Sequence, residues 1–307
     1  MIVYKELRSI EYDLGIPLKT LYGISNNIER HYHEKRIPKS NRETRVLSVP
    51  DEVLKKVQRA IVDKLLVYEP VSKYAMAYRI GTNVKKNALC HVGQDKLLKL
   101  DIYHFFESIG YSVVKERVFP EEKYSEPIRI LLSMLCYKGD SLPQGAPTSP
   151  IISNIIMRNF DQTVGVFCEN RAIHYTRYCD DMTFSGDFNE AELLDFVSRE
   201  LKAQGFILND KKTRCLKNGS KKTVTGVVVN EKINTPKSYR REIRQAIFYC
   251  KKYGVEEHLR RIDSSVSTSK YLAGLLGKVN YVLQITPDNQ EFSEYRSQLL
   301  KLIKDNP

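Results

Sequence analysis

The sequence predicts an α+β fold, with a mixed core followed by a helical C-terminal region. Short apolar β-type runs at 97–102, 173–178, 182–185 and 222–229 are separated by segments with helical apolar spacing. From Thr235 onward the pattern is helical, in three or four segments. The chain has 307 residues, 42% of them hydrophobic and 28% charged. That length suits two domains or one large domain with an appendage, and the composition excludes bulk disorder.

The elements follow in order. Residues 51–68 place apolar side chains at helical intervals, and Pro50 and Asp51 suit a helix entrance. The run 97–102 reads as a buried strand ending in Asp101. Residues 127–137 read as a helix, 142–147 as a loop, and Ser149-Pro150 opens an apolar helix through Phe160. The runs 173–178 and 182–185 flank Cys179-Asp180-Asp181. Residues 190–204 form an amphipathic helix, and Gly205 punctuates its end. The run 222–229 reads as one further strand. The first thirty residues carry no usable motif.

Charge narrows the function class. The formal net charge is +12, which points to a polyanionic partner. Residues 211–261 hold fifteen Lys/Arg against four Asp/Glu, and residues 19–59 hold ten against five. In the first stretch Tyr239, Phe248, Tyr249 and Tyr253 alternate with cations, among them Arg240, Arg241 and Arg244. Such a mixture suits cations on phosphates, with rings packed inward or stacked on bases. A membrane-surface helix would need a more continuous apolar face. No run is apolar enough for a membrane span or a signal peptide. The six cysteines are scattered, so reduced thiols in a cytoplasmic protein are expected rather than disulfides or a zinc site.

Three carboxylates carry the chemistry. Asp180 and Asp181 lie between two β-type runs, where a hairpin turn can aim both at one pocket. Carboxylates held that close repel unless a cation sits between them. Mg²⁺ is the fitting ion, because it prefers oxygen and is shared between carboxylates and substrate phosphate. Asp101 at a strand end would complete a two-metal site. An acidic pair alone is commonly a surface turn; the ordered set around it distinguishes this one.

That set resembles the reverse transcriptases. Residues 100–106 (LDIYHFF) resemble the first palm motif, 142–150 (LPQGAPTSP) the second, and 178–181 (YCDD) the YxDD box. Residues 205–213 (GFILNDKKT) resemble the next palm motif. Asn87-Ala88-Leu89-Cys90-His91 matches the NAxxH element of bacterial retron reverse transcriptases, and Val224-Thr225-Gly226 matches their VTG element. The second residue of the box is Cys where many relatives carry Ala; both are small.

The resemblance implies a right-hand polymerase fold. An N-terminal helix and fingers would span 1–92, with a second part of the fingers over 112–147, and a palm of antiparallel sheet packed on helices would span 93–111 and 148–231. A helical thumb would span 232–307. It implies two Mg²⁺ ions on Asp101, Asp180, Asp181 and the Ile102 carbonyl. Arg45 and Lys39 would hold the triphosphate, and Gln144 and Gly145 would meet the incoming nucleotide. Phe106 would exclude a ribose 2′-OH, and Lys212 would assist pyrophosphate departure. Asn87, His91, Val224, Thr225, Gly226, Arg240, Arg241 and Arg244 are the candidates for RNA or template–primer contact.

Retron enzymes work with a structured noncoding RNA of msr–msd type. They start from an internal 2′-OH and produce branched msDNA from dNTPs. Such systems resemble antiphage modules with a separate effector protein, and little chain is left here for a fused nuclease or effector. Two other readings stay open: a standalone group II-like reverse transcriptase, and an RNA-binding scaffold restraining a toxic effector.

Overall fold

The computed structural model describes residues 3–38 and 44–305. Two helices, α1 (Leu7–Leu14) and α2 (Leu18–Ser25), precede a hairpin of β1 (Tyr32–Pro38) and β2 (Thr44–Pro50). Helix α3 (Glu52–Ile61) starts where the Asp51 carboxylate accepts the Leu54 amide at 2.8 Å. This is the N-cap expected from the sequence. It widens into one π turn at Val62–Leu66. Then come α4 (Val84–Leu89), β3 (Leu97–Asp101), α5 (Tyr111–Arg117) and α6 (Glu126–Cys136).

The segment expected as one helix from Ser149 to Phe160 is two. Helix α7 (Ser149–Ile156) ends at Met157, whose ψ of −2° departs from helical geometry, and α8 runs over Arg158–Glu169. Strands β4 (His174–Tyr178) and β5 (Asp181–Ser185) pair antiparallel with Tyr178 opposite Asp181. Helix α9 (Glu190–Ala203) and β6 (Arg214–Leu216) follow, and the sheet order is β4-β5-β3-β6. The expected strand over 222–229 is instead a hairpin of β7 (Thr223–Val224) and β8 (Val227–Val228). Thr225 and Gly226 both take positive φ, 45° and 81°, which reverses the chain as a two-residue hairpin turn requires. Four helices close the chain: α10 (Lys237–Tyr253), α11 (Val255–Arg261), α12 (Thr268–Ile285) and α13 (Gln290–Asp305).

The chain forms two compact units, residues 1–82 with 98–215, and 83–97 with 216–307. In the first, a continuous apolar core joins α1 and α2 to α6 and runs under the sheet through Leu98, Leu100, Met182 and Phe184. In the second, Ala88 and Leu97 bury against Val224, Val227, Val229 and Ile285. This packing draws residues 83–92 to the C-terminal unit. The terminal helices share a separate core that includes Ile243, Ile247, Leu275 and Phe292. Among the described residues no helix is long and apolar enough to cross a membrane, and all six cysteines are free thiols.

Helix α8 passes so close to Tyr74 that a Cβ on Gly165 would lie 2.0 Å from the tyrosine ring. The buried Tyr74 ring in turn packs 5.5 Å from Tyr175 on β4. Gly165→Ala should therefore cost about 1–3 kcal/mol through overpacking. Chemical denaturation checks this; an unchanged midpoint would contradict the close approach.

Candidate active site

The cleft of the first unit, about 960 Å³, is lined by the C-terminal end of β3, the β4–β5 turn, β2 and the loop before α7. Asp101 enters from the end of β3. Asp180 and Asp181 enter from the tight turn. Two backbone hydrogen bonds set their relation: the Ile102 amide donates to the Asp180 carbonyl at 3.1 Å, and the Asn209 amide donates to the Asp101 carbonyl at 2.8 Å. The sheet itself thus brings together acids nearly eighty positions apart in the chain.

Electrostatics follow from that placement. Burial, then the nearby Asp101 charge, raises the Asp180 carboxyl above its ordinary value. Asp181 faces solvent at the cleft, yet desolvation by its neighbours and the Asp180 charge push it up to about 6, with Lys99 opposing. Asp101 is 4% exposed and accepts from Lys212 Nζ at 2.6 Å and Asn209 Nδ2 at 3.0 Å. Partial burial works against the Lys212 charge, but the Asp101 hydrogen bond, reinforced by all three carboxylates, raises its pKa overall.

Among the described residues, no three acidic, histidine or cysteine side chains converge into a ready metal cage. The donors in the cleft are nonetheless all carboxylate oxygens whose mutual repulsion is only partly answered by Lys212 and Lys99. That is the donor chemistry of a divalent hard cation that keeps water or phosphate oxygens as further ligands.

Of the nucleotide candidates, Arg45, Phe106 and Gln144 line the same cleft. Arg45 is exposed on β2, and Lys39 lies outside the described residues. Phe105 is buried against Phe206, whereas Phe106 is half-buried at the cleft wall. Gln144 is held from both sides: Nε2 donates to Glu107 at 2.7 Å, and its carbonyl accepts the Ser48 amide at 2.9 Å. Gly145 has φ of 127°, and a Cβ there would fall 2.7 Å from the Ser48 carbonyl oxygen. Its glycine is required by the close approach of β2.

The RNA candidates belong to the second unit. Asn87 and His91 are both buried, and Asn87 Nδ2 donates to Thr225 Oγ1 at 3.4 Å, so the NAxxH helix α4 docks on the VTG turn. On α10 the three arginines differ. Arg244 is engaged bidentately with Glu291, at 2.6 Å to each oxygen, and Arg240 donates to Asn234. Arg241 is exposed. Of the rings expected among these cations, Tyr249 stacks on Tyr253 and on His258, Phe248 meets Tyr249 edge-on, and Tyr239 meets Tyr281 edge-on, with Arg261 3.7 Å over Tyr253.

Sequence reasoning missed Glu107, Asn209 and Tyr78. Asn209 lies inside a motif already singled out, two residues after Ile207 on the chain that pairs with Ile102. Its period-2 alternation could have marked it as facing Asp101. Glu107 and Tyr78 carry no local signal, since only the fold brings them to the cleft.

Comparison with known proteins identifies the family. The family model described as "Reverse transcriptase (RNA-dependent DNA polymerase)" matches residues 37–229. The chain is 30% identical to the retron Ec83 reverse transcriptase of Escherichia coli, over 80% of this chain and 81% of that protein. It is 29% identical to the retron Mx65 reverse transcriptase of Myxococcus xanthus, over 88% and 69% respectively. Among solved structures, a foamy viral protease–reverse transcriptase in complex with double-stranded DNA matches with a TM-score of 0.49 at 14% identity. That match covers all of this chain and 45% of the other. From the family match and the 30% identity to a retron enzyme covered over 81% of its length, the chain belongs to the retron reverse transcriptases, RNA-directed DNA polymerases of the right-hand polymerase fold.

Proposed function

We propose that the cleft binds two Mg²⁺ ions on Asp101, Asp180 and Asp181, with the Ile102 carbonyl as a further ligand, and extends a nucleic-acid primer with dNTPs. The observation that supports it best is the gathering of three carboxylates in one cleft, where burial first and then their mutual charge raise Asp180 and Asp181. Bound there, the ions would acidify the attacking hydroxyl and neutralise the phosphates. The protein's own groups do the rest. Arg45 offers planar donors to the triphosphate, with Lys39 six positions before it in sequence. Phe106 supplies a wall under the sugar, and Gln144, held by Glu107, meets the nucleotide over Gly145. Lys212 places a positive charge where pyrophosphate departs.

The retron-specific reading extends from the same family. We propose that the 2′-OH of a cognate msr–msd type RNA serves as primer and that branched msDNA results. We further propose that the enzyme works beside a separate effector in antiphage defence. The docking of Asn87 on Thr225 supports a joint role for the NAxxH and VTG elements as a scaffold for RNA contact. In this reading residues 1–92 and 112–147 serve as fingers, 93–111 and 148–231 as palm, and 232–307 as thumb. Arg241 is the α10 cation best placed for phosphate, since Arg244 is committed to Glu291.

Asp180→Asn keeps the shape and removes the charge. It should lower DNA synthesis by roughly a thousandfold or more, about 4 kcal/mol of transition-state stabilisation. Near-normal synthesis by the folded variant would sink the metal assignment. Phe106→Ala should raise the ratio of ribonucleotide to deoxyribonucleotide incorporation, measured by primer extension with each; an unchanged ratio would remove the gate role. Co-purification from the native operon, followed by nuclease treatment of the bound nucleic acid, should reveal a branched RNA–DNA. Recovery of random cellular RNA alone would count against the retron-specific steps while leaving polymerase chemistry intact.

A further inference from the structure

We propose that Arg177 is a positioning residue for Asp180, its buried guanidinium clamping the turn that carries the carboxylate. The inference rests on the reading of Asp180 as a metal ligand.

Arg177 sits on β4, two residues before Cys179, and is 0% exposed. A desolvated guanidinium is costly unless its donors are answered. Here they are. Nε and Nη2 donate to the two oxygens of Asp161 at 2.8 and 2.7 Å, Nη1 to the Cys179 carbonyl at 2.9 Å, and Nη2 also to Asn154 Oδ1 at 3.2 Å. Asp161 is itself fully buried and accepts from the Tyr175 hydroxyl at 2.8 Å. Asn154 Nδ2 donates to the Ala77 carbonyl at 2.8 Å. The Arg177 backbone bonds to Tyr74 and Met76. One side chain therefore ties the turn to α7 and α8, while its main chain ties it to Tyr74 and Met76.

The turn needs such a tie. Cys179 has φ of 62°, in the left-handed region that a residue with a Cβ seldom adopts. Asp180 lies between two peptide planes. The one before it is held at the Cys179 oxygen by Arg177, and the one after it at the Asp180 oxygen by the Ile102 amide. With both planes fixed, the Asp180 Cα–Cβ bond has a fixed direction into the cleft. Arg177 itself does not line the cleft, so it acts through Asp180 and not on substrate. A fork of planar donors is required, because a single ammonium cannot grip both Asp161 oxygens and the Cys179 carbonyl.

The test uses Arg177→Lys and the charge-neutral pair Arg177→Met with Asp161→Asn. The pair avoids leaving a lone buried charge and so protects folding. Folding is followed by thermal unfolding, Mn²⁺ binding to the protein alone by electron paramagnetic resonance, and turnover by primer extension. Folded variants should lose roughly 10- to 100-fold in Mn²⁺ affinity and in kcat, with KM for dNTP nearly unchanged because the Arg45 and Gln144 side is untouched. A purely structural role would instead lower the unfolding temperature and leave Mn²⁺ affinity and kcat per folded molecule at wild-type values, which overturns the proposal. Asp180→Asn run in parallel separates the two ideas. If it polymerises normally, the metal assignment fails. If it is inactive while both Arg177 variants behave as wild type, only the clamp fails.

Discussion

Placing three carboxylates in one cleft is electrostatically unfavourable, and much of the first unit is arranged around that cost. Asp101, Asp180 and Asp181 come from two strands that the sheet order makes neighbours. Desolvation, and after it their mutual repulsion, raise Asp180 and Asp181, and Lys212 answers only Asp101 at close range. Directly behind the turn lies a different solution to buried charge. Arg177 and Asp161 are fully buried, bidentate and saturated with hydrogen bonds. The complete pair is a fixed support, and the incomplete set in front of it is open to a cation. The same kinds of groups therefore serve as scaffold or as chemistry according to whether their bonding is satisfied.

The rest of the cleft is held by a close backbone approach of β2 together with one side-chain hydrogen bond. Ser48 on β2 donates to the Gln144 carbonyl, and only a glycine at 145 leaves room for the adjacent carbonyl. Glu107 fixes the Gln144 amide from the opposite side. The walls are thus preorganised before any substrate arrives, which is the condition under which electrostatic groups act without reorganisation.

The basic C-terminal unit shows that a charge excess is not a count of free cations. Part of the surplus in residues 211–261 is spent on the fold: Arg244 on Glu291, Arg261 on Glu257 and Tyr253, and the buried Lys222 on the Gln94 carbonyl. The rings interleaved with those cations likewise contact other rings, Tyr249 stacked on Tyr253 and His258, Phe248 and Tyr239 edge-on to Tyr249 and Tyr281. Patterning located the basic stretch, but it could not separate the paired cations from exposed ones such as Arg241.

By itself the sequence determined the fold class and the order of the palm motifs and singled out three candidate acids, because local periodicity and short motifs are written in neighbouring residues. The positions of β3, β4 and β5 followed from apolar runs, and the Asp51 cap from its place before a helical pattern. The tertiary structure decided what depends on distant pairs. Met157 breaks a helix that looked continuous, and Thr225-Gly226 folds one apparent strand into a hairpin docked on α4. Glu107 meets Gln144, Asn209 meets Asp101, and Arg177 reaches back through Asp161 to hold the turn. Those contacts join residues between 16 and 108 positions apart. Hydrogen-bond geometry of this kind exists only once the backbone has closed, so no local pattern could carry it.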